Sequence, residues 1–359
     1  MNQTIMNKPK RRNETIDLMK FVFILMIMCF HSGLVFHGGY IAVEFFFVVS
    51  GFLMAASMEK LPETSEDLGK ETISFILHKA AGIFPYYLLA WILSLIITAT
   101  ANHYSLQLLL KTIFRSPYNV LMVEMAGNYD MGHRVQGSWY ISAMLLAMLI
   151  LFPLRRKNKN LFDYVMAPIF FLFFVGYCYQ GKKGTGGMVV TYDQSLHMYN
   201  GLLRGISELS LGSICYRVKE AFLSKTLQTR SRLLLTALEW GGYFSTIFCA
   251  FKYNHTDLDL AMLFWLSVSI TISFSGKSLT SDIISGSAFS FLGQYSLSIY
   301  LVHEVVKNQL IVKILHVKRA LEPRFMILYF TISGILGLIV WFFGKKAMSL
   351  MMRSKKKSA

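Results

Sequence analysis

Three ionisable residues stand in the first long apolar stretch, "IDLMKFVFILMIMCFHSG" (residues 16–33): Asp17, Lys20 and His31. On a helix, the interval from Lys20 to His31 makes three turns plus about 20°. The two then share a face roughly 16 Å apart along the axis, with Asp17 on the same stripe. Ionisable groups within a membrane helix are costly and usually face a cavity or a partner. Lys20 is either a snorkelling anchor or a group that faces a cavity or a partner. His31 lies too deep to snorkel easily, so it is either a satisfied interior histidine or a functional group at a polar cavity. The next stretch, "GGYIAVEFFFVVSGFLMA" (38–55), carries Glu44 at a depth close to that of His31 if the two helices run antiparallel. A carboxylate beside an imidazole fixes its tautomer and raises its basicity, which suits a general base acting on a hydroxyl. The other reading of His31 and Glu44 is a buried polar pair that locks two helices together. Deeper in the second stretch, Ser50 and Gly51 are small enough to let another backbone approach.

The elements that must hold these residues are membrane helices. Of 359 residues, 54% are hydrophobic and only 16% charged, with mean hydropathy +0.46; a soluble globule carries about 25% charged residues. Long apolar runs recur, among them Phe21–Phe30, Leu88–Ile97, Ile141–Leu151, Met262–Ile272 and Phe325–Phe343. We read an all-α bundle of about ten spans, at roughly 17–36, 40–58, 75–99, 138–154, 161–179, 201–217, 233–251, 258–275, 288–311 and 325–345. The first run lacks a small-residue cleavage site and more spans follow, so it reads as a retained helix. The whole chain, 1–359, is expected to form one domain, with basic tails at 1–15 and 346–359.

The net charge of +16 would suggest nucleic acid in a soluble protein. Here it concentrates in short segments such as "KPKRR", "RRKNK" and "KKKSA", which fits orientation, with both termini cytoplasmic, and no nucleic-acid partner. One basic segment, "KILHVKRALEP" (313–323), falls on the opposite side in this count; an error in the ninth span would also explain it. Within residues 100–137, "LQLLLKTIF" is too short to span and reads as an interfacial or re-entrant helix. Cys29, Cys178, Cys215 and Cys249 are scattered without a CxxC pair, so neither a zinc site nor a disulfide framework is indicated. No Walker A, GxSxG or HExxH pattern occurs.

Further candidates lie in later spans. Ser296, Tyr300, His303 and Lys307 share one face of the ninth, where Tyr300 and His303 could line a polar cavity beside His31, or simply pack against other polar groups. Glu304 points elsewhere in this reading, toward the outer boundary. Arg204 and Glu208, one turn apart in the sixth span, read either as a self-neutralising pair or as a contact to an anionic ligand. Trp139 is an interfacial belt residue or an aromatic platform for a ligand. The stretch "MGHRVQG" before it offers His133, Arg134 and Gln136 to a ligand on that side.

The first two spans resemble the membrane-bound acyltransferase 3 family. Arg12, Asp17, Lys20 and His31 hold the places of that family's opening Arg, Asp, Arg and His. Residues 42–53, "AVEFFFVVSGFL", follow its second-span pattern, with Glu44 for Asp. At the start of the third span, Lys79, Gly82, Ile83, Pro85 and Tyr87 match Arg-x-x-Arg-Ile-x-Pro-x-Tyr, with Gly82 in an arginine's place. "GSWYISAML" (137–145) and "LGQYSLSIYLVH" (292–303) resemble later landmarks. The resemblance implies an integral O-acyltransferase of the bacterial cytoplasmic membrane that uses acyl-CoA, typically acetyl-CoA, as co-substrate and needs no metal. The acceptor it implies is a hydroxyl of a cell-surface glycan or its lipid-linked precursor. His31 would be the catalytic residue, oriented by Glu44. Arg12, Lys20 and Lys79 would face the anionic donor; Asp17, Ser50, Gly51 and Pro85 would be structural members of the motifs. A transporter or flippase for a glycolipid or small solute is the rival, although no internal repeat is visible.

Overall fold

The computed structural model describes residues 12–127, 132–181, 194–195, 198–222, 227–318 and 320–357. The "KPKRR" segment before Arg12 and most of the glycine-rich stretch 181–201 lie outside the described residues. Eleven longer helices organise the chain: α1 (Glu14–Ser32), α2 (Ala42–Met58), α3 (Leu68–Ala101), α4 (Leu106–Phe114), α5 (Trp139–Lys157), α6 (Ala167–Gly181), α7 (Asn200–Phe222), α8 (Thr229–Lys252), α9 (Leu258–Ser275), α10 (Ser287–Val305) and α11 (Pro323–Lys357). A two-residue antiparallel pairing, Gln194–Ser195 with Met198–Tyr199, is the strand content among the described residues.

Eight helices of the described residues are long and apolar enough to cross a membrane. The sixth and ninth expected spans are present as α7 and α10 but fall short of that apolarity. The reason is their polar residues: Arg204, Glu208 and Arg217 in α7, and Gln294, His303 and Glu304 in α10. Both helices are shielded by neighbours, α7 packing against α2 and α5, and α10 against α1 and α11. The exposed faces of α6, α8 and α11 carry Phe173, Phe248 and Ile327 instead, as lipid-facing surface requires.

Local signals set the helix ends. The Asn13 side chain accepts from the Ile16 amide at 3.0 Å and opens α1; Gly33, at φ 73°, closes it in the left-handed region, which glycine enters without steric cost. The first span therefore ends at Ser32, four residues before the expected 36. The tail expected at 346–359 instead continues α11 through Lys357. The Leu321 amide donates to the Ser32 carbonyl at 2.9 Å, so the basic segment 313–323 lies at the His31 end. Both described chain ends consequently leave from the Arg12 end.

In lipid, packing rather than hydrophobic exclusion holds helices together, and small residues permit it. A Cβ on Gly51 of α2 would fall 2.1 Å from the Leu209 carbonyl oxygen, and one on Gly212 of α7 would fall 2.2 Å from the Val48 carbonyl oxygen. The α2–α7 crossing is thus a backbone-to-backbone contact. At the Arg12 end, Arg155 donates to Asp163 (2.8 Å) and Glu59 (2.7 Å), tying the ends of α2 and α5 to the π-helical turn Phe162–Met166 before α6.

Candidate active site

Two groups of polar residues stand at opposite ends of α1. At the first, Arg12 forks onto both oxygens of Asp17 (2.6 and 3.0 Å), and Lys20 Nζ donates to Asp17 Oδ1 at 3.0 Å. One carboxylate between two cations holds both in place and leaves net positive charge. Asp17 is seated against α10 at Gly293, where an added Cβ would come within 2.4 Å of it. Arg12 and Lys20 line two cavities, of about 480 and 710 Å3. Gly82 lines the smaller with nothing within 4 Å of a Cβ built on it, so the place of the family arginine is open space. Lys79 lies over the Phe75 ring at 5.2 Å and lines neither cavity. Pro85 is buried inside α3, and Ser50 Oγ shares a 2.9 Å hydrogen bond with Tyr140 Oη on the wall of the 480 Å3 cavity.

At the other end, His31 meets α10. Its Nε2 lies 3.3 Å from Glu304 Oε1, and its ring centroid is 5.3 Å from that of His303. His303 is fully buried, with Nδ1 2.6 Å from the Tyr300 carbonyl oxygen. A carbonyl only accepts, so Nδ1 carries the proton and Nε2, which has no hydrogen-bond partner among the described residues, is left as an acceptor. By the same logic a carboxylate at His31 Nε2 holds the proton there and leaves Nδ1 as the basic nitrogen. Tyr300 stacks on His303 at 5.5 Å and donates to the Gly137 carbonyl at 2.5 Å.

These contacts correct the expected pairing. Glu44 does not reach His31; it accepts a hydrogen bond from the Arg204 guanidinium, and both side chains are buried. Helix phase is the reason: His31 faces α10, whereas Glu44, in the first turn of α2, faces α7. Glu304, set aside in the sequence reading, is the carboxylate beside His31. The expected self-contained Arg204–Glu208 pair is also loose, at 4.0 Å; Arg204 binds across to α2, and Glu208 is buried beside it. Glu304 lies four residues after Tyr300, one turn further along α10, but spacing alone does not show which helix it faces; in the structure a π-helical stretch, Val306–Ile314, begins two residues later.

His31, Gly137, Trp139, Arg204, Tyr300 and Glu304 share one cavity of about 220 Å3. Trp139 lies under the Arg204 guanidinium at 5.2 Å. Tyr40 and His255 also line it, stacked at 4.1 Å with a 7° interplanar angle. Tyr40 is fixed by donating to Asp259 at 2.7 Å and accepting from the His255 amide at 2.6 Å. Nothing in the local sequence connects Tyr40 to a histidine more than two hundred residues away. This cavity and the 480 Å3 cavity share Ile27, Val43 and Tyr300 as lining residues. The positive mouth and the histidine cluster therefore adjoin across these three side chains.

The chemistry available is proton transfer at an oriented imidazole beside a buried guanidinium. Among the described residues, His31, His303 and Glu304 also offer one ligand atom each within 4.8 Å of one another, a set that could take a divalent cation. No curated protein and no solved structure matches the chain. Residues 13–345, nearly all of it, match the family model described as an acyltransferase domain, and with eight helices fit to cross a membrane the chain belongs to the membrane-bound acyltransferase 3 family.

Proposed function

We propose that this membrane acyltransferase takes an acyl group, acetyl in the simplest case, from acyl-CoA at the Arg12–Lys20 mouth and delivers it to a glycan hydroxyl in the His31 cavity. The observation that carries this reading is the pair of cavities meeting at Ile27, Val43 and Tyr300. A thioester and a hydroxyl approaching from opposite sides of a bilayer need such a junction. Arg12 and Lys20 supply charge for the donor phosphates where water is scarce and charge counts for more. His31 removes the acceptor hydroxyl proton as the oxygen attacks the thioester carbonyl; the C–S bond breaks, and the proton passes to the departing thiolate. Arg204, held by Glu44, provides positive charge for the oxygen of the tetrahedral intermediate. An alternative order through an acyl-histidine uses the same residues.

The basic segments at the Arg12 end favour that end as cytoplasmic, which puts the acceptor cavity on the far face of a bacterial cytoplasmic membrane. The aromatic walls of that cavity, Trp139 and the Tyr40–His255 stack, suit a sugar ring. Labelled acyl-CoA supplied to the reconstituted protein without acceptor separates the two orders. Label retained on wild-type protein and absent from His31→Ala supports the relay; unlabelled enzyme that still acylates added glycan supports direct transfer. Activity that survives exhaustive chelation supports histidine as the base, whereas loss reversed by a divalent cation would assign His31, His303 and Glu304 to a metal.

A further inference from the structure

A separate cavity of about 330 Å3 opens at the His31 end, between α3, α4 and the segment before α5. Leu108, Lys111 and Thr112 of α4 and Arg115 at its C-cap line it. Their spacing of i, i+3, i+4 and i+7 is one helical face. The opposite face carries Leu106, Leu110 and Ile113, all exposed, with Phe114 exposed on its flank. No residue of α4 is buried. A short helix with a basic face on a cavity and an uncovered leucine-rich face lies in the plane of a membrane surface, apolar side in the acyl region. Across the cavity stand Arg134, Thr98 and Gln309, so three cations and several neutral hydrogen-bond donors converge on one space. Arg115 and Arg134 also interact with other groups of the protein.

We propose that this cavity binds a phosphate ester at the membrane surface. Guanidinium forks and an ammonium match the oxygens of a phosphate in shape and charge. Basic pockets between membrane helices take lipid head groups, and the apolar face of α4 offers a place for acyl chains beside the bound phosphate. The site is distinct from the His31 cavity but adjoins it, since Gln136 precedes Gly137 and Val305 follows Glu304. Occupancy does not depend on the acyl-transfer reading, because the test measures binding.

The detergent-solubilised full chain is titrated calorimetrically with dioctanoyl phosphatidylglycerol, with dioctanoylglycerol and with glycerol phosphate. A saturable phosphatidylglycerol site is expected. The double variant Lys111→Gln/Arg115→Gln should weaken it about 10- to 100-fold, the size expected for lost charge-assisted hydrogen bonds, while Lys111→Arg should retain it. Phosphatidylglycerol binding far tighter than glycerol phosphate identifies a lipid as the source of the phosphate; equal binding identifies a water-soluble ester. Three results overturn the proposal: no phosphate ester binds, dioctanoylglycerol binds as tightly as phosphatidylglycerol, or the double glutamine variant keeps wild-type affinity.

Discussion

At the level of single residues, two carboxylates divide the work that the sequence alone assigned to one. Glu304 touches His31, and Glu44 touches Arg204. Replacing Glu304 by Gln keeps its shape and removes the charge that orients the imidazole. We expect kcat to fall by about 100- to 1000-fold, within the range of general-base effects, with expression and thermal stability near wild type. Glu44→Ala strands a buried guanidinium and should lose about 3–5 kcal/mol of stability, seen as a lower unfolding temperature before any assay is run. The reverse assignment, with Glu44→Ala stable but inactive and Glu304→Gln unfolded, would contradict this division. His31 itself was legible because a deep histidine in an apolar run is costly. Its partner was not, because period and depth fix how far along a helix a residue sits but not which neighbouring helix it faces. The Arg12–Asp17–Lys20 cluster was legible for the opposite reason: all three residues lie on a single short stretch of chain.

Among the helices, the α2–α7 crossing carries the most demanding fit. Gly51 and Gly212 bring backbone to backbone, so Gly51→Val has no room to relax without separating the helices. It should cost about 1–3 kcal/mol or more and lower the yield of folded protein in detergent; wild-type thermal stability would sink the idea. Gly82 is the contrasting glycine, open on all sides of a built Cβ. Gly82→Arg should fold normally and lower KM for an acyl-CoA donor by adding a third cation to the mouth, and an unchanged KM would show that the donor does not pass residue 82. The helices themselves were readable from apolar runs, and α4 from its shortness. The sixth and ninth spans were the least typical as membrane helices, because they carry Arg204, His303 and Glu304, which stand at or beside the site.

Across the whole molecule, the proposed function requires the two cavities to communicate where they share Ile27, Val43 and Tyr300. Val43→Trp at the junction of the cavities should leave the fold and donor binding intact while reducing turnover at least about tenfold; turnover at the wild-type rate would mean the two cavities are not one route. Stability should also respond to pH outside the membrane. Burial pushes the Glu124 carboxyl up to about 7, against the opposing pull of the Ser138 hydroxyl and Arg134. The folded state then holds a proton that the unfolded chain releases near 4.5. Its contribution to stability is complete below that value, declines as pH rises, and is gone above about pH 7. Glu124→Gln should remove this decline, and thermal unfolding at pH 5 and pH 8 is the comparison to make; an undiminished pH dependence in the variant would place its origin elsewhere. The central claim is acyl transfer to a surface glycan through His31. It is tested most directly by mass spectrometry of surface glycans from cells producing either the wild-type protein or His31→Ala at matched levels in the membrane. The expected result is an acyl mass increment that is present with wild type and missing with the variant. An increment of equal size in both would contradict the claim.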